Sequence, residues 1–206
     1  MNQMNAYNFS AVSIDGDTIQ FSTYQGHVLL IVNTASKGLA MNDLQQLQLI
    51  YKQFESSNFT VLAFPCRQFL HQESKVPSKI RFRYQQAGIA FPVFTLTKVN
   101  GPNTHQFYRW LKEVAPVTGS GKTIEWNFTR FLVLRDGINV QRISPTASWE
   151  KVKKLVSEAV NISLLPRSSS NDAPYQIPTN QGFQDIQQQQ LDGNYNINEQ
   201  QIDAIQ

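Results

Sequence analysis

The sequence predicts an α/β domain with a central sheet flanked by helices, and three observations predict it. An apolar run, Val28–Asn33, leads into a stretch of helical periodicity and then a second apolar run, Phe59–Phe64. Uninterrupted apolar runs of this kind suit strands buried on both faces. A strand–helix–strand succession implies a parallel pair joined by a crossover. Farther on, Phe131–Leu134 and Val140–Ile143 flank Arg135-Asp136-Gly137, which reads as an antiparallel hairpin leading to a last helix. A parallel pair plus a hairpin makes a mixed sheet.

The remaining elements follow in order. Phe9–Phe21 alternates apolar and polar residues around Asp15-Gly16-Asp17 and predicts an N-terminal β-hairpin. Leu44, Leu47, Ile50, Tyr51 and Phe54 recur at helical spacing, so a helix is expected over 42–54. Pro65 closes the strand before it. A second helix is expected near 78–86, with Pro77 just ahead of it. Phe91–Leu96, which contains Pro92, predicts a short strand after a loop, and 104–112 a short helix. Ser148 is suited to cap the final helix, whose apolar face is Val152, Leu155, Val156 and Val160.

A chain of 206 residues and 23.5 kDa suits one domain and an extension, divided here as 1–166 and 167–206. About 160 residues bury a sizeable core without disulfides or metals. The single cysteine, Cys66, excludes an internal disulfide and fits a reducing compartment. Met1–Tyr7 carries no basic or apolar targeting region, so an intracellular, cytoplasmic location is expected. The longest apolar run is too short to span a bilayer.

Charge is divided unevenly. Residues 168–206 hold no Lys or Arg but hold Asp172, Asp185, Asp192, Glu199 and Asp203. With a net charge of +3 overall, that segment at −5 leaves +8 for residues 1–167. The segment contains the run Gln187–Gln190 and is dominated by Asn, Gln, Asp, Gly and Pro, with apolar residues such as Tyr175, Phe183, Tyr195 and Ile202 scattered through it. Such a composition buries too little apolar area to offset its ordering entropy, so it is expected to be disordered unless bound to a partner. It is the candidate docking segment for a protein partner or larger assembly. Nucleic acid is not expected, because no aromatic–basic interleaving accompanies the positive charge. His27, His71 and His105 lack metal-ligand spacing and are expected on loops or the surface, so no metal is expected. Gly119-Ser-Gly-Lys-Thr123 resembles the end of a phosphate-binding loop, but Pro116 stands where that motif needs glycine, and it reads as a plain loop.

Four stretches carry a family resemblance: VLLIVNTASK at 28–37, VLAFPCRQFLHQE at 61–73, FPVF at 91–94 and WNFTRF at 126–131. Together they resemble the glutathione peroxidase family over about residues 7–160. The resemblance implies a thioredoxin-like fold and a tetrad of thiol or selenol, Gln, Trp and Asn. Gln72, Trp126 and Asn127 match the last three, whose N–H donors favour a thiolate and steady the departing oxygen. The nucleophile position is occupied by Gly38, which has no atom that can attack a peroxide. The interval from Gly38 to Cys66 is the one found in many non-selenium members, so a side chain is replaced rather than a segment lost.

Other motif positions also depart. Leu39 and Met41 replace the Gly and Thr after the nucleophile, Arg67 replaces the Asn after Phe-Pro-Cys, and Ser74-Lys75 replace Pro-Gly. Arg83 stands where two-cysteine members place the resolving cysteine. The short stretch between His105 and Trp126 matches monomeric members.

The expectation is therefore a family member without normal hydroperoxide reduction, kept as a binding or structural component. It would need no cofactor, and glutathione or thioredoxin as reductant only if active. Two alternatives stand beside it. Cys66, activated by Arg67, is a redox candidate for residual thiol peroxidase or sensor activity, against an inert, partly buried thiol. The vacated position with Gln72, Trp126 and Asn127 is a donor-rich pocket for an anion or water. Trp126 could equally be a core aromatic, with Gln72 and Asn127 holding loops.

Overall fold

The computed structural model describes residues 3–116 and 122–162. The expectations for the 167–206 extension lie outside the described residues, as do 117–121 of the Gly119–Thr123 loop. An N-terminal hairpin pairs β1 (Ser10–Val12) with β2 (Thr18–Gln20). The main sheet contains β3 (Val28–Thr34), β4 (Phe59–Pro65), β5 (Arg130–Val133) and β6 (Val140–Ile143), in the order β4-β3-β5-β6. β3 and β4 are parallel, while β5 runs antiparallel to both β3 and β6. Four helices complete the body: α1 (Ala40–Phe54), α2 (Pro77–Gln86), α3 (Gln106–Val114) and α4 (Trp149–Ile162).

Alternation along β3 sends successive side chains to opposite faces. Leu29 and Ile31 join a core of Phe21, Phe64, Phe94, Phe107, Leu111 and Phe131. Its rings are in direct contact, with Phe64 stacked on Phe94 at 4.6 Å and Phe21 edge-on to Phe107 at 4.9 Å. On the other side α1 packs on β4 and α4, and α4 packs on β3. All seven residues of β3 and of β4 are buried, as their composition requires.

Pro77 occupies the first turn of α2, where its missing N–H costs nothing. Ser148 caps α4 by accepting from Lys151 N at 3.2 Å. Gly137 closes the β5–β6 turn at φ +72°, and a Cβ there would meet the Tyr7 ring at 2.5 Å. One expected element is absent: Phe91–Leu96 is not a strand. It makes only single bridges, Val93 to Ala63 and Phe94 to Ser13. Pro92 supplies no N–H for a ladder, although its carbonyl accepts from Ala63 N at 3.0 Å.

Candidate functional site

The site forms where the parallel strands β3 and β4 end and α1 begins. Asn33 and Thr34 close β3 as fully buried polar residues, and the chain then turns through Ala35-Ser36-Lys37. Gly38 sits at φ +58°, and a Cβ built on it meets no atom within 4 Å. The first turn of α1 is tight, with Ala40 N on Lys37 O, Met41 N on Gly38 O and Asn42 N on Leu39 O at 3.0–3.3 Å. Glycine is favoured by this left-handed backbone, and the space its side chain would fill is open.

Gln72 is fastened to the same turn. Lys37 N donates to Gln72 O at 3.1 Å, and Lys37 Nζ donates to His71 O at 3.1 Å. Asn127 Nδ2 donates to Gln72 Oε1 at 2.7 Å. The segment bearing Trp126 and Asn127 is held to β3 from both ends of Asn33: Asn33 Nδ2 donates to Trp126 O at 3.0 Å, and Phe128 N donates to Asn33 O at 2.7 Å. Phe128 adopts φ +60° to make this turn. Thus hydrogen bonds tie Gln72 to Lys37, the neighbour of Gly38, Asn127 to Gln72, and the Trp126 backbone to Asn33 at the end of β3.

Their environments differ. Asn127 is buried, and its Oδ1 has no hydrogen-bond partner among the described residues. Trp126 is 43% exposed and leans on Phe69 with ring centroids 5.9 Å apart. Trp126 is therefore not a core aromatic. Its indole N–H and the Gln72 side-chain N–H donate to no group among the described residues. Such donors can stabilise an anionic sulfur or oxygen, but Gly38 contributes no reacting atom.

Beneath this turn lies a polar group that the sequence reading did not single out. Glu73 is fully buried. Its Oε1 accepts from Ser36 O–H at 2.8 Å and from Ser74 N at 2.6 Å. Tyr84 O–H lies 3.4 Å from Oε2 and 2.7 Å from Thr34 Oγ1. The Arg83 guanidinium stands 3.8 Å away. Burial pushes the Glu73 carboxyl above the usual range, and the Ser74 and Ser36 bonds and Arg83 partly restrain the shift. The sequence signals for this network were Thr34, a polar residue ending an apolar strand, and the place of Glu73 at the end of the 61–73 stretch.

Cys66 is not the activated thiol that its neighbour Arg67 suggested. It is fully buried in the aromatic core, with Sγ 3.8 Å from Gln68 Oε1. Burial pushes the thiol up rather than down. It directly follows β4, and its N–H donates to Thr34 O at 2.8 Å. The histidines are structural. His105 caps α3 by accepting from Phe107 N at 3.2 Å, and His27 lies 3.3 Å from Thr60 Oγ1. Both lie on loops, as expected, and are half-buried, and burial lowers both imidazoles; His71 is exposed on a turn. Among the described residues no group of His, Cys, Asp and Glu could hold a metal, and no helix is long and apolar enough to cross a membrane.

Known proteins share much of this chain's sequence and fold. The family profile "Glutathione peroxidase" matches residues 6–112. A glutathione peroxidase of Lactococcus lactis is 37% identical over 156 residues, 75% of this chain and 99% of that protein. The hydroperoxy fatty acid reductase gpx1 of Synechocystis is 40% identical over 152 residues, 71% of this chain and 90% of that protein. The crystal structure of Trgpx in its apo form superposes with a TM-score of 0.65 at 30% identity, covering 78% of this chain and 97% of its own. A thioredoxin-family thiol:disulfide interchange protein from Chlorobium tepidum shares the fold at a TM-score of 0.58 and 17% identity, covering 78% of this chain and 98% of its own. With its thioredoxin-like α/β fold, the profile match over residues 6–112 and relatives 37–40% identical over 90–99% of their own length, the chain belongs to the glutathione peroxidase family.

Proposed function

We propose that this member of the family does not reduce hydroperoxides at ordinary family rates and serves as a non-catalytic binding or structural component. One observation carries the proposal: the nucleophile position is Gly38, while the sole thiol, Cys66, is sealed in the core. Peroxide reduction by this family's route needs a thiolate or selenolate that can be oxidised and then reduced. Donors at Gln72 and Trp126 steady charge but supply no electrons.

The test is hydroperoxide consumption by the pure protein, with glutathione or with thioredoxin and its reductase, beside an active relative. The expected result is consumption no faster than without protein. Turnover comparable to the relative would overturn the proposal. Partner recruitment is assigned to residues 167–206, whose charged side chains after Arg167 are all acidic. Replacing Asp172, Asp185, Asp192, Glu199 and Asp203 by their amides is expected to abolish co-purification of a partner; unchanged co-purification would remove the segment from the mechanism.

A further inference from the structure

Three apolar residues within two positions of groups bonded to the Gln72 segment stand in water: Leu39 is 84% exposed, Leu70 73%, and Trp126 43%. Bonds already described tie their segments together. Lys37 binds the carbonyls of His71 and Gln72, Asn127 binds the Gln72 side chain, and Phe69 touches Trp126. Leu39 follows Gly38, Leu70 follows Phe69, and Trp126 precedes Asn127.

Leu70 and His71 are consecutive residues at φ +45° and +53°, a region that side-chain-bearing residues rarely adopt. A leucine held there by backbone strain, with its side chain in solvent, gains nothing for the fold. Strain of this kind concentrates where binding compensates it.

The charge of the segments that bear these side chains is mostly positive. Segments 36–41, 66–76 and 125–127 carry Lys37, Arg67 and Lys75 against Glu125 and the buried Glu73. The same segments carry two side-chain N–H donors without partners among the described residues, Gln72 Nε2 and Trp126 Nε1. Apolar contact, free N–H groups and cations together suit a carboxylate-bearing chain that also carries apolar side chains and carbonyl oxygens.

We infer that the rim formed by Leu39, Leu70 and Trp126 is a docking surface for an acidic, apolar-containing peptide segment of a protein partner. A peptide fits better than an anionic membrane, because three cations and an exposed Glu125 make a weak electrostatic anchor for a lipid surface, where each basic residue contributes only about 1 kcal/mol. This inference rests on the domain acting as a binding component.

The test uses the full chain and a short fluorescein-labelled peptide alternating Asp and Leu, with a Lys–Leu counterpart and vesicles of phosphatidylserine and phosphatidylcholine in equal parts. The Asp–Leu peptide is expected to bind at least about tenfold tighter than the Lys–Leu peptide. Leu70→Gly is expected to leave the unfolding midpoint unchanged or raised, because glycine relieves the backbone, while weakening peptide binding about tenfold. Leu39→Gln should weaken binding similarly. Leu49→Gln, an exposed leucine roughly 15 Å farther along α1 at 1.5 Å per residue, should not.

Equal binding of the two peptides, no binding, equal loss in Leu49→Gln, or retained affinity in Leu70→Gly would each overturn the proposal. So would vesicle binding without peptide preference, which would assign the surface to a membrane. Peroxide turnover is measured separately. Turnover together with selective peptide binding would sink only the non-catalytic reading, and silence without peptide binding would sink only the docking surface.

Discussion

Asn127 Nδ2 donates to Gln72 Oε1 at 2.7 Å, so two of the three residues that match the family tetrad by sequence are bonded to each other. Asn127 is buried, and its amide has no other hydrogen-bond partner among the described residues. Asn127→Ala is expected to cost about 1 kcal/mol of stability through this lost bond and the space left behind. Gln72→Ala should cost less, because Gln72 is only partly buried, although it leaves the Asn127 amide without its acceptor. Denaturant unfolding of both variants measures the difference, and a larger loss in Gln72→Ala would reverse this ranking.

Restoring sulfur at position 38 tests whether only the nucleophile was lost. The open space beside Gly38 accepts a thiol, but φ +58° penalises any Cβ by about 1–2 kcal/mol. Gly38→Ala and Gly38→Cys are expected to lose that much stability, and Gly38→Cys alone to gain hydroperoxide consumption with dithiothreitol. A stable Gly38→Cys protein that stays silent would mean that the donors around Gln72 no longer address this position.

The Cys66 thiol should be inert in the folded protein. Burial both blocks access and raises the thiol above its ordinary range, which lowers its thiolate fraction. A disulfide reagent is expected to label no thiol under native conditions and one thiol after unfolding in guanidinium. Rapid native labelling, or oxidation of Cys66 by excess hydroperoxide, would restore the redox-sensor alternative.

Glu73 makes stability depend on pH with a definite sign. Its folded-state value is raised above 4.5, chiefly by burial, so the folded state holds the proton more tightly than the unfolded chain. The stabilisation is complete below 4.5 and is lost as pH rises through the higher folded-state value. Glu73→Gln removes this titration. The stability of the wild type relative to Glu73→Gln is therefore expected to fall as the pH is raised from about 4 to about 7. Unfolding curves across that range would refute the assignment if the difference stayed constant or changed in the opposite direction.

Local patterns in the chain were sufficient for the class of fold and for most of its elements. Leu44, Leu47, Ile50 and Phe54 are the buried face of α1, and the two apolar runs are the parallel strands β3 and β4. These features depend on neighbours within a few residues, where periodicity is informative. Phe91–Leu96 failed as a strand for a reason also present in the chain, since Pro92 cannot donate to a ladder.

The sequence alone determines that position 38 carries no nucleophile and that only one thiol exists, because these are facts of covalent composition. Tertiary packing decided the rest. It enclosed Cys66 despite the adjacent Arg67, turned Trp126 outward, and placed Glu73 beneath Ser36, a residue 37 positions away along the chain. It also left Leu39 and Leu70 in solvent. Burial and pKa depend on groups distant in sequence that folding brings within a few ångströms, and single-residue chemistry holds no record of those contacts.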